Sequence, residues 1–279
     1  MAGSFSNSWA LVKASAGVLK LDKELMVFPL MSGIAAVLVT ASFIVPFAVT
    51  GGWEMFAEGE GSYLGYVLGF LFYLVQYTVI FFFNSALVGA ALIRLDGGDP
   101  TVSDGLSIAA SRMGSILGYA AVAATVGMVL RFVSERSGWL GRLAVGLVGM
   151  AWTLATYLTV PVLVTENIGP IEAVKKSAGL FKRTWGEQVV GNFGMGWAFF
   201  LAAVSWTLVS GALIFAAASV SGPAAAAAVG IAVLGYVLLG LVASTLKGIY
   251  TAALYRYAST GDAGSFDARI VGNAFRPRR

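Results

Sequence analysis

Six stretches of this chain run without a charged side chain for about the length that crosses a bilayer, and no other feature restricts its fold so strongly. A hydrocarbon core about 30 Å thick takes about 20 helical residues at 1.5 Å each. Residues 28–49, 63–93, 114–130, 143–165, 189–220 and 224–246 meet or nearly meet that requirement, 114–130 being the shortest. Composition agrees: 58% of the 279 residues are apolar and 11% are charged, where soluble domains carry roughly 25%. The expected fold is all-α, a polytopic membrane helix bundle with about six spans. The segment before the first span is charged and the apolar run starts late, so it does not read as a cleavable signal.

The distribution of charge orients the bundle. Of 18 Lys and Arg residues, only Arg131, Arg136 and Arg142 fall on the side that holds loops 50–62, 131–142 and 221–223, which also carries Glu54, Glu58 and Glu60. The remainder lie opposite, and by the positive-inside rule both termini are expected in the cytoplasm. The net charge of +4 is thus a topology signal and gives no reason to expect nucleic acid. A basic tail over 261–279, ending Arg276-Pro277-Arg278-Arg279, suits an anionic lipid surface. The chain has no cysteine and no histidine, which removes thiol nucleophiles, imidazole bases and the usual transition-metal ligands. No cofactor is expected.

One short text occurs twice. Residues 12–20 read VKASAGVLK and residues 174–182 read VKKSAGLFK, 162 positions apart. The same offset relates Ala91-Leu92-Ile93-Arg94 to Ala253-Leu254-Tyr255-Arg256. A fainter copy lies at an offset of 70, where Asp96, Asp99-Pro100, Ser107 and Arg112 face Glu166, Gly169-Pro170, Ser177 and Lys182, with an apolar stripe out of phase by one residue. These registers divide a single membrane domain, 1–260, into three repeats of about 8–96, 100–166 and 170–257, each a cytoplasmic amphipathic helix followed by a transmembrane hairpin. The short helices are expected over 8–24, 101–114 and 170–185. Trp9, Val12, Ala16 and Leu19 form one apolar stripe, and Ile171, Val174, Ala178, Phe181 and Trp185 form its counterpart. Lys13, Lys20, Lys175, Lys176, Lys182 and Arg183 flank them and are the candidate contacts to an anionic lipid surface. Read differently, the helices are connectors with a solvated face.

The segments WALVKAS…DKELMVFPL, ALIRLDGGDPTVSDGL and VLVTENIGPIEAVKKSAGLFKRTWGE resemble an uncharacterised bacterial family of multispan membrane proteins, a domain of unknown function. More distantly, the chain is similar to the membrane domain found beside some glycerophosphodiester phosphodiesterases. The resemblance implies a helical protein of the bacterial cytoplasmic membrane and carries over no catalytic residue.

Polar groups inside the spans are few, and a charge in hydrocarbon costs several kcal/mol unless paired or hydrated. Asn84, Glu166, Glu187 and Lys247 form the candidate polar cluster. Lys247 either snorkels to the headgroups from the end of the last span or faces a cytoplasm-open cavity and pairs with Glu166 or Glu187. Pro161 is placed to kink the fourth span. Three function classes stay open. A non-enzymatic scaffold that organises or handles membrane lipid is favoured, with lipid and a second copy or another membrane protein as partners. A channel or permease would use a cavity around Asn84, Glu166 and Lys247. An intramembrane enzyme ranks last, since carboxylates alone specify no reaction.

Overall fold

A computed structural model describes residues 2–50, 63–185 and 194–261. Within them the regular elements are helices, in the order α1 (Ala2–Leu21), a 3-10 turn (Lys23–Met26), α2 (Val27–Thr50), α3 (Tyr63–Leu95), α4 (Val102–Ser111), α5 (Met113–Arg136), α6 (Trp139–Ala155), α7 (Thr159–Thr165), α8 (Pro170–Trp185), α9 (Gly194–Ala218) and α10 (Gly222–Thr260). Six segments among the described residues are long and apolar enough to cross a membrane. The chain is a polytopic helix bundle, as its uncharged runs require. Glu187 and all of the basic tail but Gly261 lie outside the described residues.

Local signals set the helix ends. Thr101 accepts from the Asp104 amide at 3.2 Å while the Asp104 carboxylate takes the Thr101 amide at 2.9 Å, a capping box that starts α4. Ser221 accepts from the Ala224 amide at 3.2 Å, with Pro223 in the first turn of α10. Gly261 closes α10 at φ 77°, a left-handed geometry that glycine adopts without a Cβ penalty.

The fourth span is broken. α6 stops at Ala155 and α7 begins at Thr159, because Pro161 has no amide hydrogen and its ring excludes the carbonyl four residues earlier, that of Tyr157. Ala91, which stands five residues before Asp96 as Pro161 stands before Glu166, leaves α3 continuous for 33 residues. Ala253, 162 residues beyond Ala91, does the same for the 39 residues of α10. At 1.5 Å per residue α10 is about 58 Å long, close to twice the hydrocarbon thickness.

A short helix followed by two long ones occurs three times along the chain, and the docking of the short helices goes round in a circle. α4 packs on α3, α8 on α5, α6 and α7, and α1 on α9 and α10. Each short helix thus sits on long helices that precede it, α4 chiefly on the second of its pair, and the first short helix sits on the last pair. The core lies where the second long helices converge at the basic end: residues 85–91 of α3, 158–164 of α7 and 245–255 of α10, all buried except Lys247. Close approach there needs small residues. A Cβ on Gly248 would stand 2.3 Å from Leu87 Cδ2, and one on Gly105 would stand 2.7 Å from the Ala86 carbonyl oxygen. Away from the basic end the long helices bury little; α6 has no buried residue.

The faces that the short helices turn inward differ by one residue from the apolar stripes. α8 buries Ala173, Ser177 and Leu180, and α1 buries Ser15 and Val18, while Val12, Ala16, Leu19, Val174, Ala178 and Phe181 are half-buried and Ile171 is exposed. The buried positions pair a large aliphatic with small residues, Val18 with Ser15 on α1 and Leu180 with Ala173 and Ser177 on α8, and the small ones let the helices approach closely. α4 uses Gly105 and Ala109, with Ser107 exposed, so its phase differs from the other two as its sequence does.

Candidate functional site

Several charged residues of the basic end are drawn into clasps where the three sets of helices meet. Arg94, at the end of α3, donates from Nε and Nη2 to the two carboxylate oxygens of Asp22 and also from Nη2 to Asp99. Its side chain is 19% exposed and that of Asp22 7%. Asp22 ends the first short helix and Asp99 precedes the second, so one guanidinium joins both to α3. Arg256, its counterpart in α10, pairs with Asp96 just after α3. Glu166 follows α7 and receives Lys176 Nζ at 2.5 Å from α8 and the Tyr255 hydroxyl at 3.0 Å from α10. The Thr165 hydroxyl lies 2.7 Å from the same tyrosine oxygen. Arg112, at the end of α4, donates to Asn167 Oδ1 at 2.6 Å.

Of the expected cluster, Glu166 and Lys247 are not brought together, and Glu187 lies outside the described residues. Glu166 is occupied by Lys176 and Tyr255, and Lys247 is exposed with no ion-pair partner among the described residues. The reason is the tight return of the chain after Glu166. α8 starts four residues later and runs back along α7, bringing Lys176 to the carboxylate, whereas Lys247 sits on the outward face of α10 between the buried Leu246 and Gly248. Asn84 is half-buried on α3, one residue before the core begins. Lys13, Lys20, Lys175 and Lys182 are exposed and free of ion pairs among the described residues, Lys176 is half-exposed while paired, and the Arg183 side chain lies outside the described ones.

Sequence reasoning passed over Arg94, Asp22, Asp99 and Tyr255 as site residues, and considered Asp96 only as an acid or base alongside Glu166 and Glu187. The available signal was the shared register of Arg94 and Arg256, which marked a repeat boundary and also marks the clasps. A second polar feature lies within the spans. Gln76 Nε2 donates to Thr40 Oγ1 at 3.1 Å and to the Ala36 carbonyl at 3.3 Å, tying α3 to α2 beside an open groove of about 540 Å³ lined by Val37, Ala41, Ile44 and Val45. Its walls are almost wholly apolar.

Chemically, the clasps neutralise charge and fix helix ends. Among the described residues no three acidic side chains come together as a metal site would need. A family model matches residues 63–266, well over half of the chain, and its description is a family of unknown function, DUF6159. The chain belongs to that family. The match runs from α3 past the end of α10 and so takes in the clasp residues Arg94, Asp96, Asp99, Glu166, Lys176, Tyr255 and Arg256. No curated protein and no solved structure matches the chain.

Proposed function

We propose that this member of the DUF6159 family is a non-enzymatic protein of the bacterial cytoplasmic membrane that organises or handles lipid, seated with its basic end and both termini in the cytoplasm. The observation that carries the reading is the division of surface at that end: Asp22, Asp96, Asp99, Glu166, Arg94 and Arg256 are engaged in internal clasps, while Lys13, Lys20, Lys175 and Lys182 on α1 and α8 are exposed and without ion pairs among the described residues, outnumbering the exposed Glu24 and Glu172 beside them. Each such lysine near an anionic leaflet contributes about 1 kcal/mol of attraction. The half-buried rim of Val12, Ala16 and Leu19 on α1, matched by Val174, Ala178 and Phe181 on α8, supplies apolar contact at the same level. In this reading the two helices are repeated interfacial elements, and the circular docking of the three helix sets supports a threefold internal repeat.

The test replaces Lys13, Lys20, Lys175 and Lys182 together with Gln. Lipids that copurify with the protein should shift from anionic toward zwitterionic, with melting unchanged in neutral detergent. Lys176 is left in place because its loss would strand Glu166. An unaltered lipid profile, or solute flux through liposomes carrying the parent protein, would remove the scaffold reading.

A further inference from the structure

At the break in the fourth span, a short helix supplies a hydrogen bond that the long one lacks. The Thr156 amide still reaches the Trp152 carbonyl at 2.9 Å, but Tyr157 turns to Leu154 at 3.3 Å and Thr159 to Thr156 at 3.0 Å. The Leu158 amide, left out of this ladder, donates to Ser177 Oγ at 3.0 Å. Ser177 lies on α8 and is fully buried. Ser15, 162 residues earlier, is the internal control. It is also fully buried, on α1, which packs on α9 and the unbroken α10, and its hydroxyl has no partner among the described residues. An intact helix offers no spare amide; a broken one does.

Beyond the break, α6 has few restraints. None of its residues is buried, it packs on α5 and α8 alone to any extent, and Trp139, Leu140, Leu143, Leu147, Val148 and Met150 are all exposed. We propose that α6 is a hinged arm in the membrane. Residues 156–158 are its pivot, and Ser177 is the catch that fixes its angle. Because the catch is carried on α8, whatever holds α8 against the bundle also holds α6, and a leaflet that draws α8 to its surface sets the arm. That last link rests on the proposed lipid seating of α8; the pivot and the catch do not.

Spin labels on Leu147→Cys in α6 and Val75→Cys in α3, in a chain with no native cysteine, report the angle as a distance distribution in lipid nanodiscs. The parent should give one narrow distance. Ser177→Ala should broaden the distribution about twofold or split it, since loss of one capping bond shifts such an equilibrium by up to about tenfold. Ser15→Ala should leave it unchanged. Pro161→Ala restores the missing donor and should shift the distance to a different single value as α6 and α7 join. A parent-like distribution for Ser177→Ala, in protein whose 85–91 amides remain protected from exchange, overturns the proposal. If Ser177→Ala does not fold, Pro161→Ala decides, and a distance that stays at the parent value overturns it equally. Nanodiscs with and without phosphatidylglycerol separate the two readings. If the parent is indifferent to the anionic lipid while Ser177→Ala still broadens, the hinge stands and the lipid seating of α8 falls.

Discussion

Arg94 holds two carboxylates from different parts of the chain, and its loss leaves the more enclosed one, Asp22, without a counter-charge. Arg94→Gln should lower stability in detergent by about 3 kcal/mol. Adding Asp22→Asn should return part of that loss, because residues that touch do not act additively. Two small, additive changes in melting temperature would show a solvated contact in place of a clasp. At this scale little of the site was legible in advance. A lone arginine at the end of an apolar run reads as a flank, and only its echo in Arg256 set it apart. Lys247 drew attention because it interrupts a long apolar run, yet that property says nothing about which way it faces. The partner of Glu166 was decided by where α8 turns back, a tertiary fact that residue spacing does not encode.

At the scale of elements, α4 depends on a carboxylate that titrates. The hydroxyl and amide of Thr101 hold the Asp104 carboxyl below its ordinary 3.8, so the cap contributes stability that is complete above that ordinary value. The contribution disappears as pH falls through the lower, folded value. Exchange of the first amides of α4 should therefore quicken below about pH 4 relative to those of α5, and Asp104→Asn should show the faster exchange already at neutral pH. Parent-like exchange in that variant would mean that α4 is held by packing on α3 alone. The long helices were the most legible part of the molecule. Hydrocarbon leaves a backbone no partner but itself, so an uncharged run of the right length all but dictates a helix. Pro161 pointed to the irregular span, and the break falls one turn before it. The inward faces of α1 and α8 lie one residue away from their apolar stripes and mix Val18 and Leu180 with Ser15, Ala173 and Ser177, so hydropathy alone does not mark them.

For the whole molecule, orientation is the most direct thing to measure. Cysteine placed at Gly138, between α5 and α6, should react with an impermeant thiol reagent added outside intact cells, and cysteine at Ser107 or Thr260 should react only after permeabilisation; all three positions are exposed. The opposite pattern would invert the charge-based topology. Ser177, on the same side, is unsuitable as a probe because it is buried. The circular docking of the short helices also bears on how the protein is made. α1 is synthesised before every element it packs on, and its seat, formed by α9 and α10, is the last to enter the membrane. A nascent chain halted near residue 190 should leave α1 open to protease while the earlier spans are already inserted, and release of the complete chain should close that site. Protection of α1 in the halted chain would mean that it has another seat.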